Sequence, residues 1–398
     1  MDEHGRLPRT ADVVIVGAGV MGASIAFQLV QRRAGRVVVI ERQSVAAGPT
    51  GRSSAALRRH YSLELYARMA TRSLEIYRRF AELTGVPAGI KECGILHVVG
   101  PEDLAALKTT VEMLRQIGAD AEALDPEGLR KLLPEMHVED LAGGAYDVTT
   151  GYADPVAVTN GYARRARELG AAIHQATTVT GLTLRGGRVA AVQTDRGVID
   201  APAVVNAAGP WAARVGRMAG VELPITAART QLAAFRAPAD FGHPLPIVGD
   251  GAQLCYFQPE VGGLVLVGPR GRPGPSALVD PDRCDERLDP ERAEVAAEAL
   301  CRRFPAMERA HPAGGYASLY DVTPDSHFVL EASPGVPGFF TAAGFNGHGF
   351  KHAPVIGAIM ADLVLDGATS DFDIAPFSSR RFARGSPPWR GLYTGVPF

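Results

Sequence analysis

The chain of 398 residues carries 41 Lys and Arg against 43 Asp and Glu, is 46% hydrophobic and 21% charged, and has a net charge of −2. That balance is ordinary for a globular protein of two domains or one large one, and it excludes the basic excess of a nucleic-acid or membrane-surface binder. The opening MDEHGRLPRT lacks an apolar signal region, and four scattered cysteines without a C-x-x-C predict free thiols in a reducing cytoplasm.

The elements begin with a βαβ unit over residues 11–41. Val13–Val16 is a short β-branched run and reads as a buried strand. It enters Gly17-Ala18-Gly19-Val20-Met21-Gly22, a G-x-G-x-x-G. Gly17 allows a tight turn, Gly19 lets backbone approach a pyrophosphate, and Gly22 lets the next helix, 23–32, lie close to the strand. The amides and dipole of that helix N-terminus favour phosphate. Val37–Ile40 is a second buried strand, closed by Glu41, nineteen residues after Gly22. A carboxylate there can accept both hydroxyls of an unphosphorylated ribose. Residues 13–30 are largely apolar, but Gln28 and the three glycines argue for a buried βα pair rather than a membrane span.

A polar loop, 42–54, runs from Arg42 through Thr50-Gly51-Arg52-Ser53. Backbone amides and hydroxyls of such a loop can wrap a long ligand. Residues 55–60 read as a short helical piece carrying Arg58 and Arg59, and 62–83 as one long amphipathic helix. Strands are predicted at 94–99 and 143–148, with helices at 101–117 and 125–133 between them. Asp154-Pro155 opens a helix that Gly170 ends. Short strands follow at 172–176, Val179–Arg185, Arg188–Thr194 and Gly197–Asp200, with a hairpin turn at Gly186-Gly187. Ala203–Asn206 is a buried strand leading into Ala207-Ala208-Gly209-Pro210-Trp211, small residues that permit close ligand approach. Residues 222–323 alternate apolar strands (231–235, 254–258, 263–267) with one helix, 289–303, the material of a mixed antiparallel sheet. A strand then enters a second glycine-rich loop, Gly344-Phe345-Asn346-Gly347-His348-Gly349-Phe350-Lys351, followed by a helix at 353–365. The tail from Gly385 is predicted to be loosely ordered.

The opening βαβ with Glu41, the segment 207–211 and the loop 344–351 together resemble the FAD-dependent amine and amino-acid oxidases of the D-amino-acid oxidase superfamily. The pattern is similar to that of monomeric sarcosine oxidase and N-methyltryptophan oxidase, from about residue 11 to 383. The resemblance implies an α/β chain: a Rossmann-like FAD-binding domain (1–86, 147–221 and 324–398) with a discontinuous substrate domain (87–146 and 222–323) on a mixed antiparallel sheet. It implies that Gly17, Gly19, Gly22 and Glu41 hold the ADP half, that Arg42, Thr50, Gly51, Arg52 and Ser53 pass near pyrophosphate and flavin, and that Val179 meets adenine through its backbone. Gly209, Gly344, Asn346, Gly347, His348, Gly349 and Lys351 would border the flavin. Arg58 stands where the family pairs an arginine with the substrate carboxylate. Lys351 matches the second cation, and Tyr320 a cavity-lining tyrosine, with Tyr61 and Tyr256 weaker candidates. A guanidinium gives a bidentate clamp and an ammonium a point charge. His348 is expected to fix its loop by a hydrogen bond rather than to react.

Three departures shape the expectation. Ser318 replaces the cysteine that tethers FAD in monomeric sarcosine oxidases, so the flavin is expected to be noncovalent. Val265 falls at the place of a lysine that assists reaction with O₂, which makes another electron acceptor plausible. A family histidine is lost near Pro269. The activity implied is FAD-dependent oxidation of the C–N bond of a small amino acid or N-substituted amino acid, giving an imine that hydrolyses. The alternatives are oxidation of a 2-hydroxy acid, with His348 as base, and a flavoprotein subunit or assembly factor with little activity alone. The partners implied are an amino-acid-like substrate and O₂ or another acceptor. No nucleic acid, membrane span or metal is implied, and the sequence leaves the oligomeric state open.

Overall fold

The computed structural model describes residues 6–242, 244–271 and 273–383. The tail from Gly385 therefore lies outside the described residues, as do the first five residues. Val13–Val16 sits inside a six-stranded sheet, flanked by Ala203–Asn206 and Val37–Ile40. Ala172–His174 and Phe339–Ala343 extend this sheet in parallel, and Val329–Ala332 adds one antiparallel edge strand. The strands read as unbroken apolar runs because both faces are covered. Val13, Ile15, Val37 and Val39 pack with the helices Val20–Gln31, Pro155–Glu168 and Ala353–Leu365. Val14, Val16, Val38 and Ile40 pack against a three-stranded antiparallel sheet, Val179–Arg185, Arg188–Thr194 and Gly197–Asp200.

The eight-stranded sheet draws on two separate stretches of chain. Its order is His311–Val322, Thr226–Arg236, Leu264–Pro269, Cys255–Glu260, Ile247–Asp250, Ile95–Val99, Gly143–Asp147 and Ala121–Leu124. The one parallel pairing joins Ile247–Asp250 to Ile95–Val99, so this is the seam between the two stretches. Pro290–Arg303 covers one face, its buried core including Phe257, Val265, Val267, Leu300 and Phe304. The opposite face turns toward the first sheet.

Two predicted elements differ. Residues 55–60 form no helix: Leu57 donates to the Gly151 carbonyl at 2.7 Å and Ala153 to that of Ala55 at 3.1 Å, so this backbone is extended by cross-chain pairing. Ala55 is at φ 51°. The helix expected over 62–83 is two, Glu64–Arg78 and Phe80–Thr84, parted at Arg79 (φ −96°, ψ 14°). The break lets the Phe80 ring meet the Tyr162 ring edge-on, centroids 4.7 Å apart.

Candidate functional site

A cavity of about 360 Å³ opens at the carboxyl ends of Val13–Val16 and Val37–Ile40, where doubly wound sheets place their ligands. The glycine turn fixes its floor. Gly17 (φ 104°) donates to the Ile40 carbonyl at 2.9 Å, and a Cβ on it would stand 2.6 Å from the Ala207 carbonyl oxygen. Gly22 does not line the cavity; a Cβ on it would stand 1.9 Å from the Gly17 carbonyl oxygen, so it sets how closely helix meets turn. Gly19 caps the helix with no side-chain hydrogen bond of its own. Thr50 reaches across to accept from the Val20 amide at 3.2 Å. Glu41 lines the cavity, its two oxygens taking the Ala18 and Gln43 amides at 2.8 Å each. Each carboxylate oxygen keeps a further acceptor position. The Glu41 carbonyl accepts from Thr177 at 2.9 Å, which brings Val179 to the same end.

The arginines of the loop are already engaged. Arg42 lies over the Trp211 ring, 3.9 Å from its centroid, and donates to Asp282 at 2.7 Å. Arg52 donates to Glu286 at 2.6 Å and to the Ala47 carbonyl. Both line the cavity, as do Ser53 and Gly209, whereas Gly51 and Gly344 do not. Asp321, unremarked in the sequence, lines it too and accepts from the Gly344 amide at 2.8 Å. Burial raises its carboxyl to about 6. Asn346, at φ 52°, accepts from the Thr323 amide and donates to the Gly344 carbonyl, so it shapes the loop from within.

A second cavity of about 130 Å³ shares Ser53, Tyr256, Tyr320 and Gly347 with the first. Arg58, His348, Lys351 and Asn346 line it, brought together from both ends of the chain. Arg58 donates to the His60 carbonyl at 2.7 Å and lies over the Tyr61 ring at 4.0 Å. Lys351 is buried, and desolvation followed by the nearby Arg58 charge lowers its ammonium well below the usual value. Tyr320 lies flat on the chain at Gly347 (φ 79°), where a Cβ would stand 2.6 Å from the ring. His348 meets the Tyr61 hydroxyl through Nδ1 at 3.4 Å and packs on Phe328. Burial first, then Lys351, keeps its imidazole neutral. Tyr61 itself lies under Arg58, outside the cavity wall.

Sequence reasoning missed His97 and Arg270, which also line this cavity. His97 read as part of an anonymous strand. Arg270 follows Pro269, the place of the lost histidine. Among the described residues no Asp or Glu lines this cavity, whereas two arginines do.

The family described as "DAO: FAD dependent oxidoreductase" matches residues 12–363. The chain belongs to this family. The FAD-dependent oxidoreductase domain-containing protein 1 of Bos taurus is 30% identical to it over 95% of this chain and 86% of its own length. The mitochondrial sarcosine dehydrogenase of Mus musculus is 28% identical over 94% of this chain and 42% of its own length. The crystal structure of L-proline dehydrogenase from P. horikoshii superposes with a TM-score of 0.87 at 26% identity, covering 96% of this chain and all of that one.

The first cavity fits FAD. Its glycine-led helix N-terminus suits a diphosphate, its Glu41 a ribose, and its crowded glycines leave no room for side chains. Ser318 lines the cavity on the strand opposite Thr230. Acid precipitation should therefore leave the yellow colour in the supernatant; colour retained in the pellet would refute noncovalent attachment.

One register is corrected. Val265 does not face the cavity: it is buried with Phe257 and Phe304 under the covering helix. Neighbours on a strand point to opposite faces, and it is Leu266 that packs with Leu232 and Tyr256 on the cavity side. The residue of this strand on the face shared with the cavity-lining Leu232 and Tyr256 is thus the apolar Leu266, not Val265.

Among the described residues no helix is long and apolar enough to cross a membrane.

Proposed function

We propose that this FAD-dependent oxidoreductase oxidises the C–N bond of a small amino acid or N-substituted amino acid, held in the second cavity by Arg58 and Lys351. The observation that carries the reading is a cavity with arginine and lysine in its wall and, among the described residues, no acid, sharing Tyr256, Tyr320 and Gly347 with the FAD cleft. Bound FAD would supply the chemistry by accepting a hydride equivalent, two electrons with one proton, from the substrate carbon. The protein orients and charges the site. Cations draw in the carboxylate and disfavour an ammonium, so the amine binds neutral and needs no dedicated base. Half-buried Tyr256 and Tyr320 and buried Phe350 line the cavity and would limit water until the imine leaves to hydrolyse. The sarcosine and L-proline dehydrogenases named above both act on secondary amines, which supports an N-substituted substrate.

The division into an FAD domain (1–86, 147–221, 324–398) and a substrate domain (87–146, 222–323) belongs to this reading, with the eight-stranded sheet as the substrate roof. Four free cysteines suit a cytoplasmic or other reducing location.

The test is anaerobic bleaching of the flavin by a panel of amino acids, N-methyl amino acids, cyclic imino acids and 2-hydroxy acids. Bleaching by members of the amino-acid classes supports the reading; bleaching by 2-hydroxy acids alone overturns it. Reduced enzyme should then reoxidise slowly in air and faster with an artificial acceptor, because Leu266, on the cavity-side face of its strand, carries no charge. Stopped-flow reoxidation in air as fast as with the acceptor would contradict this, and Leu266→Lys should speed the oxygen reaction.

A further inference from the structure

The second cavity offers more donors than one carboxylate uses. Arg58 and Lys351 answer for a single anionic group. His97 comes from Ile95–Val99 and Arg270 from just past the end of Leu264–Pro269, and the two meet over bare backbone. His97 pairs in register with Gly249 of the neighbouring strand. An ideal Cβ at Gly249 would stand 2.5 Å from His97 Nδ1 and 3.3 Å from Arg270 Nη1, so only glycine lets both side chains close on this point. The His97 ring is 4% exposed and is held by the His60 ring, centroids 4.5 Å apart. Neither nitrogen of His97 has a hydrogen-bond partner among the described residues. Buried polar atoms are ordinarily satisfied, and one left open on a cavity wall is a place for a ligand atom or a water.

We propose that Arg270 and His97 form a second anion-recognition subsite, and that the substrate is an amino acid or N-substituted amino acid bearing a second acidic group. This rests on the reading that Arg58 and Lys351 hold the first. A guanidinium fork and an imidazole N–H can share one carboxylate. A monocarboxylic substrate leaves His97 unsatisfied, which a diacid corrects. Discrimination of this kind is strong where a site's polar groups would otherwise stay unpaired.

The experiment uses the FAD-loaded enzyme with two pairs of probes. Iminodiacetate and N-methylglycine differ by one carboxylate as reductants of the flavin. Succinate and butyrate differ likewise as ligands that perturb its absorption without reducing it. The parent should favour each diacid by about tenfold or more. Both preferences should collapse to within about twofold in Arg270→Gln, and in His97→Phe, which keeps ring volume but removes the N–H. Equal binding of succinate and butyrate by the parent overturns the subsite. So does a preference for the diacids that survives both variants. If N-methylglycine bleaches the flavin but iminodiacetate does not, the subsite falls while the C–N oxidation stands. If no amino acid of the panel bleaches it yet succinate is preferred through Arg270, the subsite stands and the oxidation reading falls.

Discussion

Replacing Arg58 or Lys351 with alanine should lower the second-order rate of anaerobic flavin reduction by about tenfold to a hundredfold. The two positions are 293 residues apart in the chain, yet one cavity wall holds both. A carboxylate between them makes charge-assisted bonds of roughly 1.5–3 kcal/mol each. Lys351 has the more conditional charge, since burial and then Arg58 lower it. An arriving anion reverses part of that penalty. Above the lowered value the amine is neutral, so affinity for a carboxylate should weaken with rising pH in the parent and weaken less in Lys351→Ala. Arg58→Lys should also be poor, because the bidentate fork is lost. FAD content should survive Arg58→Ala, as Arg58 lines only the second cavity. The control is the substrate's methyl ester. The parent should oxidise it poorly, and the variants should hardly distinguish ester from acid. Equal oxidation of both by the parent would reassign Arg58 to holding the His60 carbonyl and the Tyr61 ring.

The nucleotide-binding end was legible because its constraints are local. Turn, helix and strand follow one another within 31 residues, and each glycine is demanded by backbone a few residues away or by the strand beside it. The strands of the three-stranded sheet were equally plain, since Gly186 and Gly187 (φ 59° and 77°) supply the turn between the first two. Elements defined by distant partners were not. Ala121–Leu124 has no β-branched residue and is a strand only because it pairs with Gly143–Asp147. Ile247–Asp250 is four residues long and is fixed between Ile95–Val99 and Cys255–Glu260. Residues 55–60 follow the same rule: their helical look yields to hydrogen bonds with 151–153. The face of Val265 failed for a sharper reason. A one-residue error in a strand reverses inside and outside, and GLVLV offers no polar residue to fix the phase. His97 and Arg270 carried no motif at all. Their meeting depends on the parallel seam and on Gly249, neither of which has a sequence signature.

The largest expected loss of stability lies at that same roof, in Arg303→Ala. Arg303 ends the covering helix with its side chain fully buried. Its Nε donates to Asp250 Oδ2 at 2.8 Å, and its two terminal nitrogens reach Asp140 at 2.8 and 3.0 Å. It also donates to the His137 carbonyl and accepts from the His137 amide through its own carbonyl. One guanidinium therefore joins the helix, the strand holding Gly249 and the loop before Gly143–Asp147. Asp250 is wholly buried, with Gln253 as its other donor. Removing the arginine leaves that carboxylate uncompensated, a loss of about 3–5 kcal/mol for a buried pair cut on one side. The measurement is urea unfolding followed by far-ultraviolet circular dichroism. Arg303→Met with Asp250→Leu removes both charges and should recover much of the loss, since the cost comes from the stranded charge rather than from the pair's net strength. The surface pair Arg72–Glu75 serves as the contrast: at 3.0 Å between side chains more than half exposed, its removal should change stability by less than about 1 kcal/mol. If Arg303→Ala cost no more than Arg72→Ala, the ion pair would not be what holds the roof, and the apolar contacts of Leu300 and Phe304 with Phe257 would have to do so alone.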